Sequence, residues 1–152
     1  MKDKILVLCT GNSCRSHMAE GILRFSIGTI FEIYSAGSKP SGFVHPLAIE
    51  VMQEIGIDLR EHTSKSLDLF LKEKIDTVIT VCDHAHTVCP SFPSAKNHYH
   101  WSFPDPAKAI GSSEQVKDFF RNVRDQIQNT FSAFAHGYKQ GLGFEKPILE
   151  SL

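Results

Sequence analysis

Ile5-Leu6-Val7-Leu8 offers water no polar side chain, so this short apolar run fits a strand covered on both faces. Strands of that kind belong to parallel sheets flanked by helices, which narrows the architecture before any other residue is read. The run passes into Cys9-Thr10-Gly11-Asn12-Ser13-Cys14-Arg15-Ser16, a stretch rich in turn formers. A helical pattern follows, with Met18, Ile22 and Phe25 at i, i+4 and i+7. Strand, polar loop and helix in that order make the first half of a βαβ unit.

The rest of the chain repeats the alternation. Residues 31–34 read as a second strand that ends at Ala36-Gly37. Pro46 is placed to open a helix with Ala48, Val51, Met52 and Ile55 on its apolar side, and Gly56 to terminate it. Leu67, Phe70 and Leu71 suggest a short third helix after the polar turn at Thr63-Ser64. Thr77-Val78-Ile79-Thr80-Val81 is the clearest strand and runs straight into Cys82, while 98–101 reads as a weaker fourth. Ser112 and Gln115 form a capping-box pattern ahead of Val116, Phe119, Phe120, Val123, Ile127, Phe131 and Phe134, a long amphipathic helix. The expectation is an α/β fold: a single-domain parallel sheet of about four strands with helices on both faces, spanning 1–136. Residues 137–152, with three glycines and Pro147, read as a loosely packed tail of unknown order.

Composition bounds the function classes. With 152 residues, 41% hydrophobic and 22% charged, the chain is globular and long enough to bury a core without staples. A formal net charge of −1 argues against a nucleic-acid partner, so any anion must be bound by one local pocket. No apolar run approaches the roughly 20 residues of a membrane span, and nothing resembles a signal peptide. The default is a cytoplasmic monomer. Cys9, Cys14, Cys82 and Cys89 then rest as thiols unless they take part in redox chemistry.

Cys9-x5-Arg15-Ser16 is the segment with chemistry in it. A tight loop between strand and helix can turn backbone N–H groups inward, and the helix N-terminus adds a field that favours an anion. Arg15 supplies a planar fork for two oxygens of a tetrahedral anion. Gly11 is read as permitting a backbone geometry other residues resist, and Asn12 as tolerating positive φ. Cys9, just past a strand end, would sit where ligands collect in open α/β sheets, in a setting that favours a nucleophilic thiolate.

These eight residues resemble the loop of the low-molecular-weight protein tyrosine phosphatase family, which includes thioredoxin-coupled arsenate reductases. The resemblance runs from about Lys4 to about Phe134. It implies Cys9 as nucleophile, Arg15 as oxyanion clamp and Ser16 as hydroxyl donor to the thiolate. Thr10, Gly11, Asn12, Ser13, Cys14 and Arg15 would together bind the oxyanion, with Asn12 holding the loop in shape. Asp105-Pro106 matches the family's general acid and the proline that stiffens it.

Within the family, two features separate reductase from phosphatase. Phosphatases follow Asp-Pro with aromatic residues that receive a tyrosyl ring, whereas this chain has Ala107-Lys108. Cys82 and Cys89 are two further thiols that a hydrolase does not need and a reductase does, because reducing arsenate takes two electrons from sulfur. The implied relay runs from a Cys9–Cys82 disulfide to a Cys82–Cys89 disulfide, which thioredoxin reduces. Cys14 is read as structural, with a reversible partnership to Cys9 as the alternative. The runner-up function is a tyrosine phosphatase.

No cofactor and no metal site are carried over. The spacings Cys-x4-Cys and Cys-x6-Cys do not suit a structural zinc knuckle, and His84, His86, His98 and His100 read as solvated. Some arsenate reductases of the family hold potassium beside the loop, on residues matching Asn12, Glu20 and Ser35. Here Lys65 stands where an acidic ligand is expected, and its ammonium is read as taking the ion's place against Glu20. Glu20 on its own reads as an exposed first-turn residue. Redox sensing without catalysis would leave Arg15, Ser16 and Asp105 unexplained.

Overall fold

A computed structural model describes residues 2–90 and 92–139. Four parallel strands, β1 (Asp3–Cys9), β2 (Phe31–Gly37), β3 (Thr77–Thr80) and β4 (Asn97–His100), lie side by side in the order β2-β1-β3-β4. Between them run the helices α1 (Arg15–Ile27), α2 (Pro46–Gln53) and α3 (Asp83–Val88), and α4 (Ser113–Lys139) follows the sheet. Short 3-10 turns occupy Leu67–Phe70 and Pro106–Lys108. The expected α/β architecture with about four parallel strands is therefore the observed one.

The strand order fixes where a ligand can sit. From β1 the chain first steps sideways to β2 and later returns to β3 on β1's other side. α1, α2 and α4 pack against one another, and a right-handed β3-to-β4 crossover places α3 on the opposite face from α1. The two crossovers part at the C-terminal ends of β1 and β3, which opens a crevice there. Leu8 pairs with Thr80 in register, so Cys9 and Cys82 both leave the sheet at that edge.

Burial explains why β1 carries the sheet. Ile5, Leu6, Val7 and Leu8 are at most 1% exposed, as two-sided coverage requires. From α4, Phe120, Ile127, Phe131 and Phe134 are fully buried, and Trp101 meets Phe131 and Phe134 edge-on at 5.3 and 5.6 Å. Each such side chain contributes roughly 1.5–3 kcal/mol relative to remaining exposed. The start of α4 is the expected capping box: the Gln115 N–H donates to Ser112 Oγ at 3.2 Å, and the Ser112 N–H donates to Gln115 Oε1 at 2.9 Å. Buried Arg124 ties α4 to α2 by donating to the Val51 carbonyl and to Glu54 at 2.8 and 2.7 Å.

Three local expectations need correction, and one helix was not anticipated. Phe25 is 79% exposed and does not share a stripe with Met18 and Ile22. Along Ser16–Leu23, α1 is buried on every side, so a one-sided pattern was the wrong template. The segment at Leu67 makes only a 3-10 turn, started by Ser66 Oγ accepting from the Asp68 N–H. Beyond Cys82 the chain forms α3, a helix with no apolar periodicity to announce it. Gly137 to Lys139 continue α4, and the remainder of the expected tail lies outside the described residues.

Candidate active site

The loop from Cys9 to Arg15 owes its shape to what its carbonyls do. Those of Cys9, Thr10, Gly11 and Ser13 accept from the backbone N–H groups of Ser38, Lys39, Ser41 and His45 at 2.8–3.2 Å. The Asn12 carbonyl meets His17 Nε2 at 3.0 Å, and the Cys14 carbonyl accepts from Met18 within α1. In a trans peptide the next N–H points away from the carbonyl, so anchoring the carbonyls outward turns the N–H groups inward. The first turn of α1 also has no side-chain cap from Cys14, which leaves its N–H groups to a ligand. The result is a cradle of inward N–H groups, an arrangement with the chemistry to receive an anion.

Asn12 holds this cradle closed. Its φ of 46° is the positive value anticipated for it, whereas Gly11 keeps an ordinary backbone and a Cβ there would meet nothing nearer than 3.8 Å. The special conformation falls on Asn12 alone within the loop. Its buried side chain donates to Ser16 Oγ and Ser35 Oγ at 2.8 and 3.0 Å and accepts from the Lys65 N–H at 2.8 Å. The glycine the loop does require is Gly37, where a Cβ would lie 2.4 Å from the Thr10 carbonyl oxygen.

The sulfur of Cys9, 2% exposed, forms the floor. It accepts from the Asn12 N–H at 3.2 Å and lies 3.0 Å from Ser16 Oγ. Because Ser16 Oγ already accepts from Asn12, its own proton is free to point at the sulfur. Above lies a cavity of about 840 Å³, whose lining includes Thr10, Arg15, Lys39, Cys82, Asp105 and Lys108. Arg15 donates to the Phe103 carbonyl at 3.0 Å and stands 3.7 Å from Asp105, so its fork waits beside the cradle. Asp105 in turn caps the Pro106–Lys108 turn by accepting from the Ala107 N–H at 3.0 Å. Lys39 was not among the expected site residues; nothing in Ser38-Lys39-Pro40 announces that it will face an anion site.

The cysteines divide by place. Cys82 is buried at the N-cap of α3, with its sulfur 3.2 Å from Thr10 Oγ1 and accepting from the Ala85 N–H at 3.4 Å. Cys89 is half-buried at the other end of α3, and burial raises its thiol pKa. The two are about 10 Å apart along the helix at 1.5 Å per residue, beyond the 4.4–6.8 Å Cα separation a disulfide accepts. Cys14 is buried, and its pKa is pushed up to about 12, chiefly by that burial, which keeps it a thiol. The geometry thus gathers Cys9, Arg15, Ser16, Asp105 and Cys82 at one edge and leaves Cys89 apart.

Glu20 departs most from expectation. It is 4% exposed; Oε2 accepts from Arg24 at 2.8 Å and Oε1 from Ser35 at 2.5 Å. Lys65 does not take up an ion's place against it, since its ammonium donates to the Thr63 carbonyl at 2.9 Å. Asn12 Oδ1 accepts from the Lys65 N–H, Ser35 Oγ donates to Glu20, and Lys65 brings a cation where an anion is needed. The residues do not fit that ion. Around Glu20 lie instead His17, fully buried with its pKa pushed down to about 4 mainly by that burial, and His62.

The chain matches a family model described as low molecular weight phosphotyrosine protein phosphatase over residues 4–143. An arsenate reductase of Halalkalibacterium halodurans is 49% identical over 134 residues, covering 88% of this chain and 96% of its own. Another, from Bacillus subtilis, is 43% identical over 136 residues, covering 89% and 97%. Among solved structures, an arsenate reductase in the phosphate binding state superposes with a TM-score of 0.75 at 32% identity, covering 90% of this chain and 98% of its own.

Proposed function

We propose, from the premise that the chain belongs to the low molecular weight phosphotyrosine protein phosphatase family, that its loop binds arsenate and its thiols reduce it to arsenite. One observation carries this reading beyond hydrolysis. A second buried thiol, Cys82, borders the same cradle, 3.2 Å from the hydroxyl of Thr10, the residue after the nucleophile. A hydrolase needs only Cys9, Arg15 and Asp105.

The loop N–H groups and Arg15 hold the arsenate oxygens, Arg15 turning from the Phe103 carbonyl to the anion. Cys9, as thiolate, attacks arsenic, and Asp105 protonates the departing oxygen, which leaves as water. Cys82 then attacks the Cys9 sulfur; the S–As electron pair stays on arsenic, and arsenite leaves as As(III). The two electrons come from two thiols, now a Cys9–Cys82 disulfide. Cys89 attacks Cys82 and frees Cys9, which requires α3 to unwind. Thioredoxin reduces the Cys82–Cys89 bond, and the cytoplasm is the compartment that keeps such a cycle supplied.

Arsenate-dependent oxidation of reduced nicotinamide cofactor, coupled through thioredoxin and its reductase, tests the reading directly. Arsenate reduction is expected, together with slow hydrolysis of a small aryl phosphate, because loop, Arg15 and Asp105 suffice for phosphoryl transfer. Phosphotyrosine peptides should turn over poorly, since Ala107-Lys108 offers no aromatic platform. Efficient peptide dephosphorylation without arsenate reduction would hand the function to a phosphatase.

Potassium should give no specific activation. Rates in potassium and in a large organic cation at matched ionic strength are expected to agree within about twofold, the scale of ordinary salt effects. A larger potassium-specific gain would mean that the Lys65 arrangement yields to the ion.

A further inference from the structure

We propose that His17, Glu20 and His62 form a binding site for a first-row divalent transition metal such as zinc, behind the anion loop and separate from the four cysteines. Three potential donor atoms converge there. His17 Nδ1 and His62 Nδ1 are 3.1 Å apart, and each lies near Glu20 Oε1, at 3.7 and 3.8 Å respectively. Zinc bonds of about 2.0–2.2 Å to nitrogen and oxygen put neighbouring ligands of a tetrahedron about 3.4 Å apart. The observed separations bracket that value.

The tautomers suit metal binding. His17 Nε2 faces the Asn12 carbonyl at 3.0 Å, and a carbonyl only accepts, so Nε2 carries the ring proton and Nδ1 presents its lone pair. The carbonyl is also the kind of outer partner that orients a metal-bound imidazole. Glu20 is equally well held: Ser35 donates to Oε1 and Arg24 to Oε2, leaving a lone pair of Oε1 for the ion. Without metal, His62 Nδ1–H donates to His17 Nδ1, so on binding the His62 ring proton moves to Nε2, and added protons at low pH compete with the ion for both rings.

Local packing brings the third ligand in. A Cβ on Gly21 would stand 2.9 Å from both Ile57 Cγ2 and Leu59 Cδ2, so glycine lets the 57–59 segment lie directly on α1. His62 follows in a turn closed by its N–H donating to the Leu59 carbonyl at 3.0 Å. Two nitrogen donors and one carboxylate favour zinc, cobalt or nickel over potassium, magnesium or calcium, which prefer oxygen. Lys65 and Arg24 are the cations nearby, and the Glu20 carboxylate opposes them. Three protein ligands leave a fourth position for water.

The test is a zinc titration of the reduced full-length chain, followed by two-dimensional NMR of the histidine ring nitrogens and by melting temperature. One equivalent of zinc is expected to shift the Nδ1 signals of His17 and His62, keep the His17 Nε2–H, and raise the melting temperature. His62→Gln, on the more exposed ligand, should weaken binding at least about tenfold and leave the metal-free melting temperature nearly unchanged. His17→Gln serves as a second variant and should weaken binding comparably. Zinc that shifts cysteine signals alone, or that binds His62→Gln as tightly as the parent chain, overturns the proposal. So does the absence of any histidine shift at micromolar zinc.

Discussion

Cys9→Ser should lower arsenate reduction by at least about a thousandfold, because without the nucleophile only binding and electrostatics remain. The fold should survive the change. The Cys9 side chain lies between the Asn12 N–H and the Ser16 hydroxyl, two partners that a serine hydroxyl can also use. The melting temperature is therefore expected to stay within about 3 °C, the shift that less than 1 kcal/mol produces in a domain of this size. Oxyanion binding should persist as well, since the inward N–H groups and Arg15 are untouched. Isothermal titration with phosphate and the thioredoxin-coupled assay separate the two properties. Turnover within tenfold of the parent chain would remove Cys9 as nucleophile, whatever the loop resembles.

That the loop could be read from sequence at all follows from its local construction. Ile5 to Leu8 declare a doubly covered strand, Arg15 lies at a fixed number of steps beyond, and Asn12 is among the few residues that accept the φ it adopts. Each of these properties belongs to a short segment. The capping box at Ser112 and Gln115 and the strand at Thr77 were legible for the same reason.

What escaped depends on contacts between distant segments. Glu20 looks like any surface helix residue until α1 is enclosed on all sides and Ser35 and Arg24 close over the carboxylate. His17 and His62 are 45 residues apart in sequence, and only the glycine-permitted approach at Gly21 joins them. Gly11 misled because glycine is the usual bearer of odd backbone angles, and here its neighbour Asn12 takes that role. α3 was hidden for another reason: Asp83-His84-Ala85-His86-Thr87-Val88 has low helix propensity and no apolar stripe. At its first turn Cys82 caps the Ala85 N–H and Asp83 meets His100 at 2.9 Å.

The weakness of that helix is what the relay requires, and cysteine variants test the relay. Cys89→Ser should complete one round, releasing close to one arsenite per chain, and then stop. Cys82→Ser should stop earlier, with arsenic held on Cys9 and little arsenite released. The difference follows from placement. Cys82 borders the loop already, whereas Cys89 is about 10 Å from Cys82 while α3 is intact. Once Cys82 is drawn into a disulfide with Cys9, its cap on Ala85 is lost, a contribution smaller than the roughly 1 kcal/mol of an oxygen cap but taken from a helix of only six residues. Short helices of this length are marginal without such support. Unwinding then exposes Cys89, removing the burial that raises its pKa, and so supplies the thiolate at the moment it is needed. Single-turnover arsenite yield, with peptide mapping of disulfides after stoichiometric arsenate, reads each step. Full multiple turnover by Cys89→Ser with thioredoxin would rule the relay out. A Cys9–Cys14 disulfide in the parent chain would instead give Cys14, a buried thiol in the structure, the role assigned here to Cys82.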